Sequence, residues 1–121
     1  MRICISGSRG FKNEGAVREF VSKWSGKDDV VLVHGGCCSG VDSVVDHWAR
    51  FYGIPVEVHK ADWDRHGKAA GPIRNREMVK SCDYLYAFWD GSSPGTKSAV
   101  RAAEESKVPY NIILDSFSLS G

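Results

Sequence analysis

The sequence lacks any apolar run long enough to cross a membrane, which would require about 20 residues. Behind the first methionine it also lacks the apolar h-region of a secretory signal peptide, because the chain enters a strand-and-turn pattern at once with MRICISGSRG. We therefore expect no membrane span and no signal peptide. The sequence favours a cytoplasmic protein.

Net charge is also nearly absent. The 16 Lys and Arg residues are balanced by 15 Asp and Glu residues, which gives a formal charge of +1 at pH 7. A protein that tracks DNA or an acidic membrane surface needs a positive field over a wide area. The balance disfavours nucleic acid and membrane as partners, so any positive site must be local.

The paired cysteine spacing of a zinc site is missing as well. The four cysteines are Cys4, Cys37, Cys38 and Cys82, and the adjacent pair can hardly bridge to itself without strain. We therefore expect free thiols in a reducing compartment and no metal site.

What the sequence does contain is an alternation of β-rich runs with helical periodicity. Five runs are predicted strands: RICIS (2–6), VVLVHG (30–35), PVEVH (55–59), DYLYAFW (83–89) and YNIIL (110–114). Four helical segments separate them, and the length fits one domain. The pattern predicts an α/β fold, a three-layer α/β/α sandwich with a five-stranded, mainly parallel sheet over residues 1–115. Residues 116–121, SFSLSG, are predicted to be a C-terminal tail.

Three glycine-rich turns follow predicted strands and therefore meet at the carboxyl edge of the sheet: SGSRGF (6–11), HGGCCSGVD (34–42) and DGSSPGT (90–96). Glycine lets backbone N–H groups approach a phosphate at a helix start, although such turns are rich in glycine for structural reasons too. The candidate ligand-binding residues of the first two turns are Gly7, Ser8, Arg9, Gly35 and Gly36. No turn has the P-loop or GxGxxG pattern, which disfavours ATP hydrolysis and NAD redox chemistry, and no cofactor is predicted.

Four segments together, ISGSRGF, HGGCCSGVDSVVDHWA, ADWDRHGKAAGPIRNREMV and AFWDGSSPGTKSA, resemble the YspA- or YpsA-related branch of the SLOG superfamily. The resemblance covers nearly the whole chain. It implies a Rossmann-like domain that binds nucleotides or nucleotide-derived signals. Members of the superfamily include sensors of ADP-ribose-type messengers in bacterial immunity, phosphoribohydrolases, and the DNA-binding DprA proteins.

The resemblance also implies a site. If GSSPGT matches the PGGxGT phosphate loop of the superfamily, the phosphate is held by Gly91, Ser92, Ser93, Gly95 and Thr96. The basic segment 61–79 would supply the countercharge. Its candidates are Trp63, Lys68, Arg74 and Asn75.

Within the basic segment, Arg74 and Arg76 point to different helix faces, and we expect Arg74 to face the phosphate. Alternatively, both arginines pair with surface carboxylates. Lys68 and His66 belong to a polar loop that is predicted to be flexible and to fold over the ligand. Trp63 either stacks on a base or packs under that loop.

Asp42 follows a glycine turn at the start of a predicted helix. It either caps that helix or accepts a hydrogen bond from a ribose hydroxyl. His34, Asp46 and His47 are weaker candidates. His34 can equally be structural, and His47 is expected on the solvated surface.

The chain departs from the phosphoribohydrolase pattern PGGxGTxxE, because Ala99 stands at the glutamate position. A methyl group can neither stabilise an oxocarbenium ion nor activate water. We therefore assign no catalytic residue and expect binding without turnover. Catalysis would need another carboxylate, for which Asp42, Asp62 and Asp90 are the candidates.

The leading hypothesis is a stand-alone binding domain for a nucleotide-derived small molecule of the ADP-ribose or cyclic ADP-ribose type. Such a domain acts in signalling as a sensor, or as a phage-encoded sponge against anti-phage defence. One alternative is a nucleotide N-glycosidase or phosphoribohydrolase, and another is a DprA-like nucleic-acid binder. The resemblance adds a homodimer or higher homo-oligomer, because dimers are common in the superfamily.

Overall fold

Five parallel strands form one sheet in the computed structural model, which describes residues 1–37 and 39–115. The strands are β1 (Arg2–Gly7), β2 (Val31–His34), β3 (Val56–Val58), β4 (Tyr84–Trp89) and β5 (Tyr110–Leu114). Their order in the sheet is β3-β2-β1-β4-β5, and every neighbouring pair is parallel. The predicted α/β fold is confirmed. Cys38 and the predicted tail at 116–121 lie outside the described residues.

The helices lie on both faces of the sheet. They are α1 (Glu14–Ser22), α2 (Val41–Phe51), the single turn α3 (Trp63–His66), α4 (Ala70–Lys80) and α5 (Pro94–Ser106). None of the helices in the described part of the chain is long and apolar enough to span a membrane.

Two apolar clusters join these layers because alternate residues of a strand point to opposite faces. Ile3 and Ile5 of β1 belong to the cluster that includes α1 and α2 residues, whereas Cys4 belongs to the cluster that includes α4 and α5 residues. In the first cluster, the Phe88 ring meets Phe20 nearly edge-on, with ring centroids 5.4 Å apart. The sheet is therefore covered on both sides, as the three-layer prediction requires.

Local signals explain where the helices begin and end. The Asn13 side chain accepts the N–H of Ala16 at the start of α1. Pro94 opens α5 at a position where the missing N–H costs nothing. After α2, Gly53 has a φ of +72°, a left-handed conformation that ends the helix.

The segment between β3 and α4 differs from the prediction. We expected a flexible polar loop around Lys68, but α3 and a 3₁₀ turn at Gly67–Ala69 lead directly into α4. The Asp62 side chain caps α3 by accepting the N–H of Arg65 at 3.1 Å. Helical structure therefore holds the basic segment against the sheet edge.

Candidate ligand-binding site

A cavity of about 700 Å³ opens at the carboxyl ends of β1 and β4. These strands are neighbours at the centre of the sheet, where the chain reverses the direction in which strands are added, and clefts of α/β sheets form at such a point. Eleven of the predicted site residues line the cavity: Gly7, Arg9, Gly35, Gly36, Asp42, Trp63, Arg74, Asn75, Ser93, Gly95 and Thr96. Ser8, Lys68, Gly91 and Ser92 are not part of the lining.

Arg74 lies in the cavity wall, and its guanidinium joins three elements. Nη1 donates to the carbonyl of Gly35 at 2.8 Å and to that of His59 at 3.2 Å, while Nε donates to Asn75 Oδ1 at 2.8 Å. Among the described residues no carboxylate forms an ion pair with it, so the alternative of a surface salt bridge is not what the structure shows. Arg76, two residues further along α4, is exposed outside the cavity.

Asn75 connects the basic segment to α5. It is buried, and its Nδ2 donates to the Gly95 carbonyl and to the Ser98 hydroxyl, both at 3.3 Å. Its Oδ1 accepts from Arg74. Because the amide of Asn75 accepts from Arg74 through its oxygen and donates to α5 through its nitrogen, it holds the guanidinium at a defined distance from the start of α5.

The start of α5 offers two backbone donors to the cavity. The described residues supply no acceptor for the N–H groups of Gly95 and Thr96, and no side chain caps the helix. A side chain at Gly95 would meet open space, which is the approach that a ligand needs. By contrast, the N–H groups of Ser92 and Ser93 donate to Asp90 Oδ1 at 2.9 and 2.8 Å. Two donors expected for phosphate are therefore already satisfied.

Thr96 contributes a hydroxyl that is held in position by a hydrogen bond with Ser8. The side chain is buried, and its Oγ1 lies 3.2 Å from the hydroxyl of Ser8, which in turn accepts the N–H of Asp90. When Ser8 donates its proton to Thr96, the Thr96 hydroxyl keeps its own proton for a ligand. Ser8 is therefore a supporting residue beneath the cavity.

Protein packing accounts for three of the glycines that we expected to serve ligand approach. A Cβ on Gly7 would lie 2.2 Å from the Val41 side chain of α2. A Cβ on Gly35 would lie 2.4 Å from Arg74, and one on Gly36 would lie 2.6 Å from Val58. A side chain at any of these positions would displace other parts of the protein, which at Gly35 means the end of the Arg74 side chain, although all three residues also line the cavity.

Of the two roles that the sequence left open for Asp42, the structure contradicts that of the cap of α2. The cap is Gly40, whose φ of +73° suits glycine and whose added Cβ would lie 2.8 Å from the Arg9 backbone. Asp42 sits inside the first turn, and its Oδ2 accepts the N–H of Cys37 at 3.2 Å. Burial raises the pKa of the Asp42 carboxyl above its ordinary value. The Asp42 carboxylate therefore stabilises the turn after β2 by accepting a hydrogen bond from its backbone.

Of the other candidates in the basic segment, Trp63 lies at the cavity, whereas Lys68 and His66 do not. Trp63 lines the cavity with 59% of its surface exposed, and the edge of its ring lies near Gly71, so it does not pack under a loop. Lys68 is exposed in the 3₁₀ turn, away from the cavity, and His66 also lies outside the lining. The structure therefore brings Trp63 to the cavity and leaves the other two side chains outside.

His34 has a structural role in the turn after β2. Its ring is buried between Asp46, 2.9 Å from Nε2, and the N–H of Gly36, which donates to Nδ1 at 3.0 Å. The hydrogen bond from Arg50 to Asp46 is the main cause that holds the pKa of that carboxyl below its ordinary value. His47 is exposed, as expected.

Several lining residues were not predicted to bind the ligand, and Asp90 was named only as a candidate catalytic carboxylate. Lys60 and Asp90 stand at the ends of β3 and β4, where a polar residue after a strand is itself a signal for this edge. Ser98 and Met78 also reach the cavity from α5 and α4. Their helical positions alone did not distinguish them from surface and core residues.

Ala99 lies in the apolar cluster beneath α5 and is fully buried. It does not line the cavity, whereas Ser98 and Thr96 on the same helix do. In this chain the position that corresponds to the glutamate of the phosphoribohydrolase pattern therefore faces the core.

Comparison with known proteins agrees with this architecture. A solved structure of DNA processing protein A from Helicobacter pylori, described for its single-stranded DNA binding mode, superposes with a TM-score of 0.66 at 16% identity. The match covers 93% of this chain and 64% of that one, so this chain spans less than two thirds of its length. At this identity the likeness shows the Rossmann-like fold alone.

The sequence itself is similar to the Gene 61 protein of Mycobacterium phage D29. The two are 36% identical over 116 residues, which cover 89% of this chain and 92% of the phage protein. In addition, the profile of the YspA, cpYpsA-related SLOG family, YAcAr, matches residues 1–66. The chain therefore belongs to the YspA- and cpYpsA-related SLOG family.

Proposed function

We propose that the protein is a binding domain for a nucleotide-derived small molecule and that it acts by capture, without turnover. The observation that carries this proposal is the composition of the cavity at the sheet edge. Free N–H groups of Gly95 and Thr96, the Thr96 hydroxyl and the Arg74 guanidinium converge on one space. Backbone donors at a helix start together with a forked cation suit a phosphate group.

The size and charge of the cavity support a ligand with both anionic and neutral polar parts. Its volume of about 700 Å³ is that of a small-molecule site. Three cations, Arg9, Lys60 and Arg74, and two carboxylates, Asp42 and Asp90, line it. The two carboxylates would repel a free inorganic anion, whereas a nucleotide also carries hydroxyl and amino donors that a carboxylate can accept.

Within this class we propose a ligand of the ADP-ribose or cyclic ADP-ribose type. The support is the resemblance to the sensor members of the superfamily, together with the exposed Trp63 ring at the cavity, which offers a stacking face for a base. One relative belongs to a phage. In a phage, such a domain would withhold a messenger from the host's defence.

The position of Ala99 supports capture over cleavage. Since that residue faces the core, the phosphoribohydrolase glutamate has no counterpart in the cavity. The two carboxylates that do line it are each engaged with backbone N–H groups of neighbouring turns. Their contacts are those of structural acceptors.

Single-stranded DNA is the ligand described for the DprA structure, and we treat it as the second candidate. The basic cluster that it would need is divided here. Arg74 lies in the cavity, whereas Arg65, Lys68 and Arg76 are exposed outside it. A continuous basic track for a nucleic-acid backbone is not formed by these four residues.

A thermal-shift screen tests the proposal. AMP, ADP, ADP-ribose, cyclic ADP-ribose and a single-stranded oligonucleotide are each added to the protein, with chromatography of every sample after incubation. A ligand at a hundred times its Kd should stabilise the fold by about 2.7 kcal/mol. We expect a shift with an ADP-ribose-type compound and its recovery intact. A shift with the oligonucleotide alone, or a released base, would contradict the proposal.

A further inference from the structure

The carboxylate of Asp90 has two oxygens in different situations. Oδ1 accepts the N–H groups of Ser92 and Ser93, and these bonds lower the pKa of the carboxyl below its ordinary value, so it is ionised at neutral pH. The Ser92 hydroxyl also reaches Oδ1, at 3.4 Å, and the nearby Ser8 hydroxyl helps to lower the pKa of the carboxyl; none of the hydrogen bonds found among the described residues ends on Oδ2. One oxygen therefore shapes the turn, and the other is available.

The available oxygen lies beside a second residue of the cavity wall. Asp90 and Gly10 both belong to the lining, and a Cβ built on Gly10 would lie 3.1 Å from Asp90 Oδ2. The oxygen thus lies where the turn after β1 approaches the turn after β4. An ionised oxygen repels phosphate at this point and requires a hydrogen-bond donor instead.

We infer that Asp90 Oδ2 is the acceptor for a ribose hydroxyl of the bound ligand. The inference rests on the function proposed above and assigns the sugar subsite to Asp90 in place of Asp42, which is engaged with the turn after β2. In a nucleotide the ribose is covalently next to the phosphate. Asp90 correspondingly lies one short turn before the free N–H groups of Gly95 and Thr96.

Replacing Asp90 by asparagine tests the two oxygens separately, because it keeps one of them and replaces the other. An amide retains one oxygen to accept from Ser92 and Ser93 and puts an NH₂ donor at the position of Oδ2. The turn is preserved, while the acceptor at Oδ2 is lost. Asp62→Asn is the matched control, because Asp62 also caps a turn, accepts the N–H of Arg65, and lies outside the cavity lining.

The experiment is a set of titrations with ADP, 2′-deoxy-ADP, 3′-deoxy-ADP and ADP-ribose, by calorimetry, in the presence and absence of Mg²⁺. For the unaltered protein we expect removal of one of the two hydroxyls to weaken ADP about tenfold to a hundredfold, the loss of a hydrogen bond to a charged group. In Asp90→Asn this discrimination should disappear. Asp62→Asn should retain it, and both variants should melt near the unaltered protein.

Gly10→Ala gives a second test, since its methyl group would lie 3.1 Å from Oδ2, a contact so tight that the carboxylate must move by a few tenths of an ångström while its charge is kept. This variant should weaken the binding of ADP, and it should weaken the binding of the deoxy compound that lacks the recognised hydroxyl by less. Equal hydroxyl discrimination in Asp90→Asn and the unaltered protein would overturn the inference while leaving the proposed function intact. A loss confined to Mg²⁺-containing titrations would overturn it in favour of a cation ligand. Absence of binding by all four compounds would overturn both.

Discussion

Replacing Arg74 with alanine should lower both the stability of the protein and its affinity for a phosphorylated ligand. The guanidinium donates three hydrogen bonds, to the carbonyls of Gly35 and His59 and to Asn75 Oδ1. Each is worth about 1 kcal/mol net, and because the side chain is half-buried, water can replace part of them. We expect a loss of about 2 to 3 kcal/mol, or roughly 8 to 12 °C in Tm for a domain of this size.

Affinity for ADP-ribose should fall about tenfold to a hundredfold in the same variant, because a phosphate loses its charge-assisted donor. Arg74→Lys should recover only part of both losses, since one ammonium cannot reach three acceptors at once. The assay is calorimetric titration well below the Tm of each variant, together with thermal melting. Arg76→Ala, a change on the exposed face of the same helix, should alter neither quantity. Undiminished affinity in a folded Arg74→Ala protein would refute the assignment of this residue to the ligand.

Three further changes test other parts of the structure. Thr96→Val should weaken ADP-ribose about tenfold or more by calorimetry, whereas Thr96→Ser, which keeps the hydroxyl, should not; equal affinities would make this turn purely structural. Ala99→Glu should cost about 3 to 5 kcal/mol in denaturant unfolding because it buries an unpaired charge, unlike Lys97→Glu on the exposed side of α5; a stable Ala99→Glu protein would contradict the packing. The pKa of Asp46 is lowered in the folded protein, so its ionised form stabilises the fold above the ordinary Asp pKa, and this contribution is lost as pH falls below about 4. The Tm of Asp46→Asn should therefore drop less steeply below that pH than the Tm of the unaltered protein. Identical pH profiles would show that the hydrogen bond from Arg50 is not formed.

The order of strands and helices was predictable because the apolar periodicity is strong. The sequence before Gly53 shows an apolar helical face followed by a stop signal, and α2 accordingly ends at Phe51, with Tyr52 as its C-cap and Gly53 next. The turn α3 was missed because four residues are too few to show a helical period. Its only local sign is Asp62 three positions before Arg65.

The position of the cavity was predictable from the sequence, whereas most of the contacts within it were not. Strand ends and glycine turns indicated the edge at which the cavity lies, and Arg74, which was favoured over Arg76 because it is nearer the loop end, lines that cavity. The role of Asp42 was not accessible, because it depends on Gly40 packing against the Arg9 backbone, a contact between distant segments. Likewise, the donors of Ser92 and Ser93 are satisfied by Asp90, which only the folded turn reveals.

The place of β1 between β2 and β4 determines when during folding the cavity forms. β1, α1 and β2 are contiguous in the chain, so this unit can form by local search. β4 joins β1 through pairs such as Ile3 with Tyr84, which lie far apart in sequence and must close a long loop. The cavity is complete only after that late step, since Arg74, Asp90 and Thr96 come from the second half of the chain. A nascent chain that has been synthesised only as far as β2 therefore lacks this cavity, which exists only once the second half of the chain has folded onto the first.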